Sequence, residues 1–221
     1  MDDDLTHLIE SARQQVAGQP AANRFLELLE AGRLPKETLT VLAGELYRLV
    51  GSDRRSFALL ASRFPSPPAG DLFLSMAQGE GQALSLLLDF AAALGMDEQQ
   101  LAAHEPAPLA QAYPAFLTQT ALFGARSDMA LALLANVEAS GRQYARTADA
   151  LRSRYGFGEE AVAHFLFFAD TPRELLEQAE ATLQEGISAG DDPVEALRTA
   201  RMVHAYETAF WRSLTPDAVH G

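Results

Sequence analysis

Helical periodicity runs through almost the whole chain and constrains its fold more than any other feature. Ala and Leu dominate, β-branched residues are sparse, and no alternation of apolar and polar residues extends over a full strand. The pattern predicts ten helices, over residues 3–17, 20–31, 36–62, 71–94, 97–103, 109–123, 127–154, 159–169, 172–188 and 193–213. No repeat or linker interrupts them, so we expect one all-α domain over residues 1–221, built as a multi-helical bundle.

Charge and cysteine usage exclude several functions. The 221-residue chain has 17 Lys and Arg against 30 Asp and Glu, a formal net charge of −13, which disfavours binding to nucleic acid and to anionic membrane surfaces. Cysteine is absent, so disulfides, thiolate metal sites and a cysteine nucleophile are excluded. The acidic start lacks the layout of a signal peptide, and no apolar run approaches the length of a membrane span. We therefore expect a soluble cytoplasmic protein.

Four long helices carry a glutamate where the helical spacing calls for an apolar side chain. These residues are Glu45, Glu80, Glu138 and Glu207. A buried ionised carboxylate costs several kcal/mol unless it is paired, metal-bound or protonated, and a shared polar pocket in the bundle core would meet that condition. A glutamate can also lie at the edge of the apolar stripe, and Glu138 lies four residues before Arg142, the spacing of a local ion pair.

Histidine supply argues against a metal site. Di-iron bundles combine inward glutamates with Glu-x-x-His pairs, and none of the five histidines follows a glutamate at that spacing. His204 precedes Glu207 by three residues, which is the reverse order, and a lone histidine such as His164 on a Phe-rich helix is typical of a core. Phosphate-binding and serine-nucleophile motifs are absent as well. The sequence thus predicts no metal and no cofactor.

Three segments carry a family resemblance in the same order along the chain. The first is Phe25 followed by Gly-Arg-Leu-Pro at 32–35, and the second contains Glu-Pro-Ala-Pro at 105–108 and Ala-Tyr at 112–113. The third, Tyr-Glu-Thr-Ala-Phe-Trp at 206–211, is similar to a Tyr-Glu-x-x-Phe-Trp signature. Together they resemble the TenA family (thiaminase II and relatives) over nearly the whole length. The resemblance implies a haem-oxygenase-like fold, a role in thiamin metabolism and a homo-oligomer, either a dimer or a tetramer.

The resemblance assigns roles to individual residues. It implies that Glu207 is the active-site glutamate that moves protons during cleavage, and that Tyr113 lies near a bound pyrimidine. The nucleophilic cysteine of the family falls on Asn136, and its substrate-anchoring aspartate falls on Leu46, with Glu45 on the preceding glutamine. An amide cannot serve as a nucleophile, and an alkyl side chain cannot hydrogen-bond an aminopyrimidine, so the chain is a divergent member.

Di-iron oxidases share the same fold and offer a second comparison. Glu80 and Glu138 fall on carboxylate ligand positions of those enzymes. The histidines and the aspartate that complete the metal site fall on residues that do not bind metal, namely Leu87, Phe168, Pro172 and Leu175. This comparison implies that a metal-binding version of the site has been lost.

We expect a core cavity with aromatic walls and acidic polar groups. Its predicted aromatic walls are Phe73, Tyr113, Phe116, Phe167, Phe168, Phe210 and Trp211, and its polar groups are Glu45, Glu138, Glu207 and Asn136. Such a pocket suits a cationic or amine-bearing ring. The leading hypothesis is a metal-free TenA-like hydrolase acting on an aminopyrimidine- or thiamin-related amine, with Glu207 as proton carrier. The alternatives are a non-catalytic small-molecule binding or regulatory protein, and a di-iron oxidase of the same fold.

Overall fold

The computed structural model describes residues 2–18 and 23–215 of the chain. These residues contain ten helices and no strand. They are α1 (Asp2–Ala17), α2 (Arg24–Glu30), α3 (Lys36–Arg63), α4 (Ala69–Ala93), α5 (Glu98–Ala102), α6 (Ala112–Phe123), α7 (Arg126–Tyr155), α8 (Glu159–Ala169), α9 (Arg173–Ser188) and α10 (Pro193–Ser213). The predicted all-α class is confirmed. The predicted start of the second helix, residue 20, lies outside the described residues, and every other predicted boundary is within three residues of the observed one. None of these helices is long and apolar enough to span a membrane.

Local sequence signals account for several helix starts. Asp97 and Gln100 form a capping box at α5, in which each side chain accepts a hydrogen bond from the backbone N–H of the other. Asp192 caps α10 by accepting from the backbone of Val194, and Pro193 is its first helical residue. These caps satisfy N–H groups that a helix start leaves without an intrahelical partner.

The segment between α5 and α6 is attached to α3 by Glu45. This residue is fully buried; its Oε1 accepts a hydrogen bond of 2.6 Å from the backbone N–H of Ala107, and its Oε2 accepts one of 2.8 Å from Gln111 Nε2. The imidazole Nε2 of His104 lies 3.2 Å from Oε1. Residues 108–111 form turns, and α6 begins at Ala112, three residues later than predicted.

Two apolar cores fill the bundle. One is centred on Phe90, Phe165 and Trp211, and the other on residues that include Phe57 and Phe73. Tyr113 on α6 packs against both cores, and its position marks where they meet. Helix α7 contacts α8, α9 and α10, and it contributes residues to both cores. The cavity described below lies at this junction.

Two glycines in α3 give a matched test of the packing between α3 and the α5–α6 segment. A Cβ atom on Gly44 would lie 2.4 Å from the His104 ring, whereas a Cβ on Gly51 would meet nothing within 4 Å. We expect Gly44→Ala to lower the free energy of unfolding by about 1–3 kcal/mol through overpacking. Gly51→Ala should raise it by about 0.5–1 kcal/mol because alanine favours the helix. Urea denaturation of both variants checks this, and a stable Gly44→Ala protein would contradict the packing.

Candidate functional site

A cavity of about 560 Å³ lies between α3, α4, α6, α7, α10 and the connection from α8 to α9. Its buried wall includes Phe57, Leu117 and Met129, and these positions belong to the second apolar core. The exposed residues of its lining are Ser75, Asp170, Pro172 and Glu174, and they place its mouth beside the α8–α9 connection. A volume of this size accommodates a ring-sized organic molecule.

Acidic side chains supply all the formal charge of the cavity lining. Among the described residues that line it there is no Lys, Arg or His, while the carboxyl groups are those of Asp53, Glu80, Asp170, Glu174 and Glu207. Asp170 and Glu174 lie at the exposed mouth, so bulk water solvates them. The other three lie deeper, where Asp53 is buried and Glu80 and Glu207 are half-buried, so protons, hydrogen-bond donors or a ligand must compensate much of their charge.

Glu207 on α10 is held by two donors. Its Oε1 accepts a hydrogen bond of 2.7 Å from Ser140 Oγ on α7, and the side chain of Trp211, one turn further along α10, also hydrogen-bonds to it. Burial raises the pKa of Glu207 above its usual value, although the bonds from Ser140 and Trp211 act in the opposite direction. A carboxyl group held in this way is suited to accept and release a proton at a higher pH than a solvated glutamate.

Asp53 on α3 and Glu80 on α4 form a second acidic group in the cavity. Asp53 is only 3% exposed, and neither its Oδ1 nor Glu80 Oε2 has a hydrogen-bond partner among the described residues. Burial raises the pKa of Glu80 to about 8, and burial together with the charge of Glu80 raises the pKa of Asp53 well above its usual value. The ionised form of both carboxyl groups is therefore unfavourable unless a positive group binds beside them.

Sequence reasoning missed Asp53 although a signal for it exists. Asp53 lies three residues after Val50 and four before Phe57, which are both buried, so it continues the apolar stripe of α3. Its neighbours Ser52 and Arg54 are polar, so the segment looks like an exposed part of the helix in the sequence. Glu80 was predicted to face inward, but no role was assigned to it.

Tyr113 and Asn136 both line the cavity, as predicted. The pKa of Tyr113 is raised well above its usual value, first by burial and then by the charges of the three inner carboxyl groups. Asn136 Nδ2 donates to the backbone carbonyls of Ala132 (2.9 Å) and Ala200 (3.1 Å), and so links α7 to α10. Its Oδ1 accepts no hydrogen bond from the described residues.

Two predicted polar groups lie elsewhere. Glu138 does not face the cavity: its side chain is 80% exposed and pairs with Arg142, because Asn136 and Ser140 occupy the cavity face of α7. Glu45 is buried as predicted, but it binds the α5–α6 segment and is not part of the cavity lining. Helical periodicity gave the depth of Glu45 correctly and could not give its neighbours.

The predicted aromatic wall is correct in part. Tyr113, Phe167 and Phe168 line the cavity, whereas the other four predicted aromatic residues do not, namely Phe73, Phe116, Phe210 and Trp211. Phe73, Phe210 and Trp211 belong to the two cores, and Phe116 packs against Tyr206 with ring centroids 5.1 Å apart. Trp211 nevertheless acts on the site through its hydrogen bond to Glu207.

Potential metal ligands do not cluster in residues 2–18 and 23–215. No group of three or more His, Cys, Asp or Glu side chains in those ranges could hold a metal ion. His164 donates or accepts at Nδ1 with the carbonyl of Ala83 (2.8 Å), and burial lowers the pKa of this histidine to about 4. It is a neutral core residue in the described structure.

Comparison with known proteins identifies relatives of the whole chain. The sequence profile of the TENA/THI-4/PQQC family matches residues 19–215. A TenA family transcription regulator from Silicibacter sp. TM1040 is 20% identical, with a TM-score of 0.68 and 96% of each chain covered. A TenA homologue from P. horikoshii OT3 is 19% identical, with a TM-score of 0.61, and covers 96% of this chain and 97% of its own.

A further solved structure establishes the fold. A domain of unknown function with a heme oxygenase-like fold from Shewanella denitrificans OS217 has a TM-score of 0.71 at 13% identity, covering 96% of this chain and 89% of that one. The predicted haem-oxygenase-like bundle is therefore confirmed. No curated protein matches the sequence.

The buried Glu80 carboxyl makes a pH-dependent contribution to stability. Its pKa is about 8 in the folded protein against an ordinary value of 4.5, so between these values the folded state holds a proton that the unfolded chain releases. The free energy of unfolding should therefore fall as pH rises through that window. The Glu80→Gln variant has no titrating group at this position. We therefore expect the free energy of unfolding of this variant to rise by about 1 kcal/mol or more, relative to that of the wild type, between about pH 5.5 and pH 8. Urea denaturation at both pH values measures this, and an unchanged difference would contradict it.

Proposed function

The chain belongs to the TENA/THI-4/PQQC family, and on that premise we propose that it binds a small heterocyclic amine, related to an aminopyrimidine or to thiamin, and hydrolyses it without a metal. The observation that carries the proposal is the cavity lining, in which carboxyl groups have no cationic side chain to balance them. A protonated amine favours the ionised form of these carboxyl groups, and its N–H groups donate to the carboxyl oxygens.

Aromatic side chains in the same cavity support a ring-shaped ligand. Tyr113, Phe167 and Phe168 line the cavity beside the acidic groups. Their rings can pack against a flat heterocycle while the carboxyl groups bind its amine. The cavity volume of about 560 Å³ accommodates such a molecule.

Glu207 is the proton carrier in this proposal. In the hydrolysis, water attacks the carbon that bears the leaving nitrogen, and the carbon–nitrogen bond breaks. An aminomethylpyrimidine gives an alcohol and an amine, whereas thiamin gives an alcohol and a neutral thiazole. One group must take the proton from water and then deliver it to the leaving amine or, when thiazole leaves, to solvent. Glu207 suits both steps, because Ser140 and Trp211 hold its carboxyl group in place and burial raises its pKa.

Asn136 directs the proposal toward water as the nucleophile. The family resemblance places the nucleophilic cysteine at this position, and the chain contains no cysteine. The Asn136 amide acts as a hydrogen-bonding group, since its Nδ2 donates to two backbone carbonyls. A covalent intermediate on this residue is therefore not part of the reaction we propose.

The same observation favours a second candidate, ligand binding without turnover. A cavity that keeps its acidic groups and loses its nucleophile can serve as a sensor, and one similar structure bears the name of a transcription regulator. The formal net charge of −13 disfavours direct contact with DNA. For either function we propose a cytoplasmic homo-oligomer, a dimer or a tetramer, that does not bind nucleic acid or membranes.

Turnover and binding assays separate the two candidates. The protein is incubated with thiamin and with aminopyrimidines derived from it, products are separated by chromatography, and binding is measured by calorimetry. We expect Glu207→Gln to reduce turnover by about 10²–10⁴-fold while the protein stays folded, because the amide cannot transfer the proton. Glu138→Gln, with the same change of charge on the exposed surface, serves as the control and should behave as the wild type.

Each outcome of these assays has one meaning. Turnover that Glu207→Gln abolishes supports the hydrolase. Binding by the wild type without turnover overturns the hydrolase and supports the binding protein. Absence of both binding and turnover with every compound contradicts the proposed class of ligand.

A further inference from the structure

The three inner carboxyl groups of the cavity are not equivalent. Glu207 already receives hydrogen bonds from Ser140 and Trp211. Asp53 and Glu80 come from two other helices, and an oxygen of each is buried without any hydrogen-bond partner among the described residues. Buried acceptors are almost always paired in folded proteins. Asp53 and Glu80 therefore lack a hydrogen-bond donor in the described part of the chain, whereas Glu207 already has its donors.

The described lining of the cavity offers Asp53 and Glu80 no cationic side chain, and it contains a further acceptor. Asn136 lines the same cavity, and its Oδ1 is likewise buried and unpaired among the described residues. Asp53 is 97% removed from solvent, with 3% of its surface exposed, so water in bulk does not solvate its charge. A group that completes this region must carry several hydrogen-bond donors and a positive charge.

We propose that Asp53 and Glu80 form a second cation-binding site for a primary ammonium or amidinium group, so that the ligand of this cavity carries two basic groups. One basic group meets Glu207, and the other is bound between α3 and α4 by Asp53 and Glu80. The inference rests on the proposed function of the cavity as an amine site and specifies the class of amine. The ligand is a dibasic ring compound, or a heterocycle with a pendant aminoalkyl group.

An ammonium group fits these acceptors better than a hydroxyl group or a metal ion. It has three donors and a full positive charge for the two carboxyl groups, whereas a hydroxyl group has one donor and no charge. A metal cage built from the protein usually has three or more ligating side chains, and no such cluster of His, Cys, Asp or Glu is present in the described ranges. Binding of a metal ion is retained as an outcome of the test.

Simple aromatic amines can test the site by calorimetry. The probes are benzylamine, benzyl alcohol, and 1,3- and 1,4-bis(aminomethyl)benzene, since the two isomers place the second ammonium at different distances. We expect at least one diamine to bind the wild type about tenfold or more tightly than benzylamine does, the effect of one further charge-assisted contact. In the double variant Asp53→Asn with Glu80→Gln, this preference should disappear while benzylamine still binds.

Matched variants keep the test interpretable. Glu138→Gln removes one exposed carboxyl group and should leave the preference unchanged, which controls for the loss of net charge. Asn and Gln are close in shape to the residues they replace, and circular dichroism checks that the variants fold. If the double variant does not fold, Glu80→Gln alone should reduce the preference for the diamine at least threefold.

The outcomes separate this inference from the proposed function. If benzylamine binds the wild type and no diamine binds more tightly, the second site is overturned and the proposed amine cavity stands. If no amine binds, both fail. A diamine preference that survives in the double variant also overturns the second site. Mn²⁺ binding that is lost in the double variant, without any diamine preference, would replace the ammonium site with a metal site.

Discussion

The free-energy cost of burying carboxyl groups inside a helical bundle governs this structure. Each buried acid requires donors, a proton or a cation, and the chain meets this requirement in three ways. Glu45 is paired with a backbone N–H and an amide, Glu207 with a hydroxyl and an indole, while Asp53 and Glu80 have oxygens with no donor from the described residues. The first arrangement is structural, the second suits proton transfer, and the third is where we propose that a cationic group binds.

The scaffold positions these groups through the meeting of its two apolar cores. Tyr113 packs against both, and helices α3, α4, α7 and α10 each bring polar side chains to the cavity beside it. Glu45 and Gly44 contribute from a distance: they attach the segment that precedes α6 to α3, and α6 carries Tyr113. A residue outside the cavity thus fixes the position of one inside it.

The helices could be predicted from sequence because they depend on local periodicity and capping, whereas the site depends on which helices become neighbours. The inward direction of Glu45, Glu80 and Glu207 followed from the apolar stripes, but their spacing along each helix could not tell that Glu45 faces another segment. Glu138 lies at the edge of its stripe, one residue from Val137 in the cavity wall, and a rotation of about 100° per residue turns it to solvent. The aromatic pattern likewise could not separate wall from core.

The protonation of the inner carboxyl groups tests the account most directly. Carbon-13 NMR of side-chain carboxyl groups, assigned with Glu80→Gln and Glu207→Gln, follows each acid through a pH titration. An enclosed acidic cavity requires the signal of Glu80 to titrate near pH 8 and that of Glu207 to titrate above its usual range. If both titrate between about pH 4 and pH 4.5, as in a solvated peptide, these side chains face water and the enclosed site does not exist.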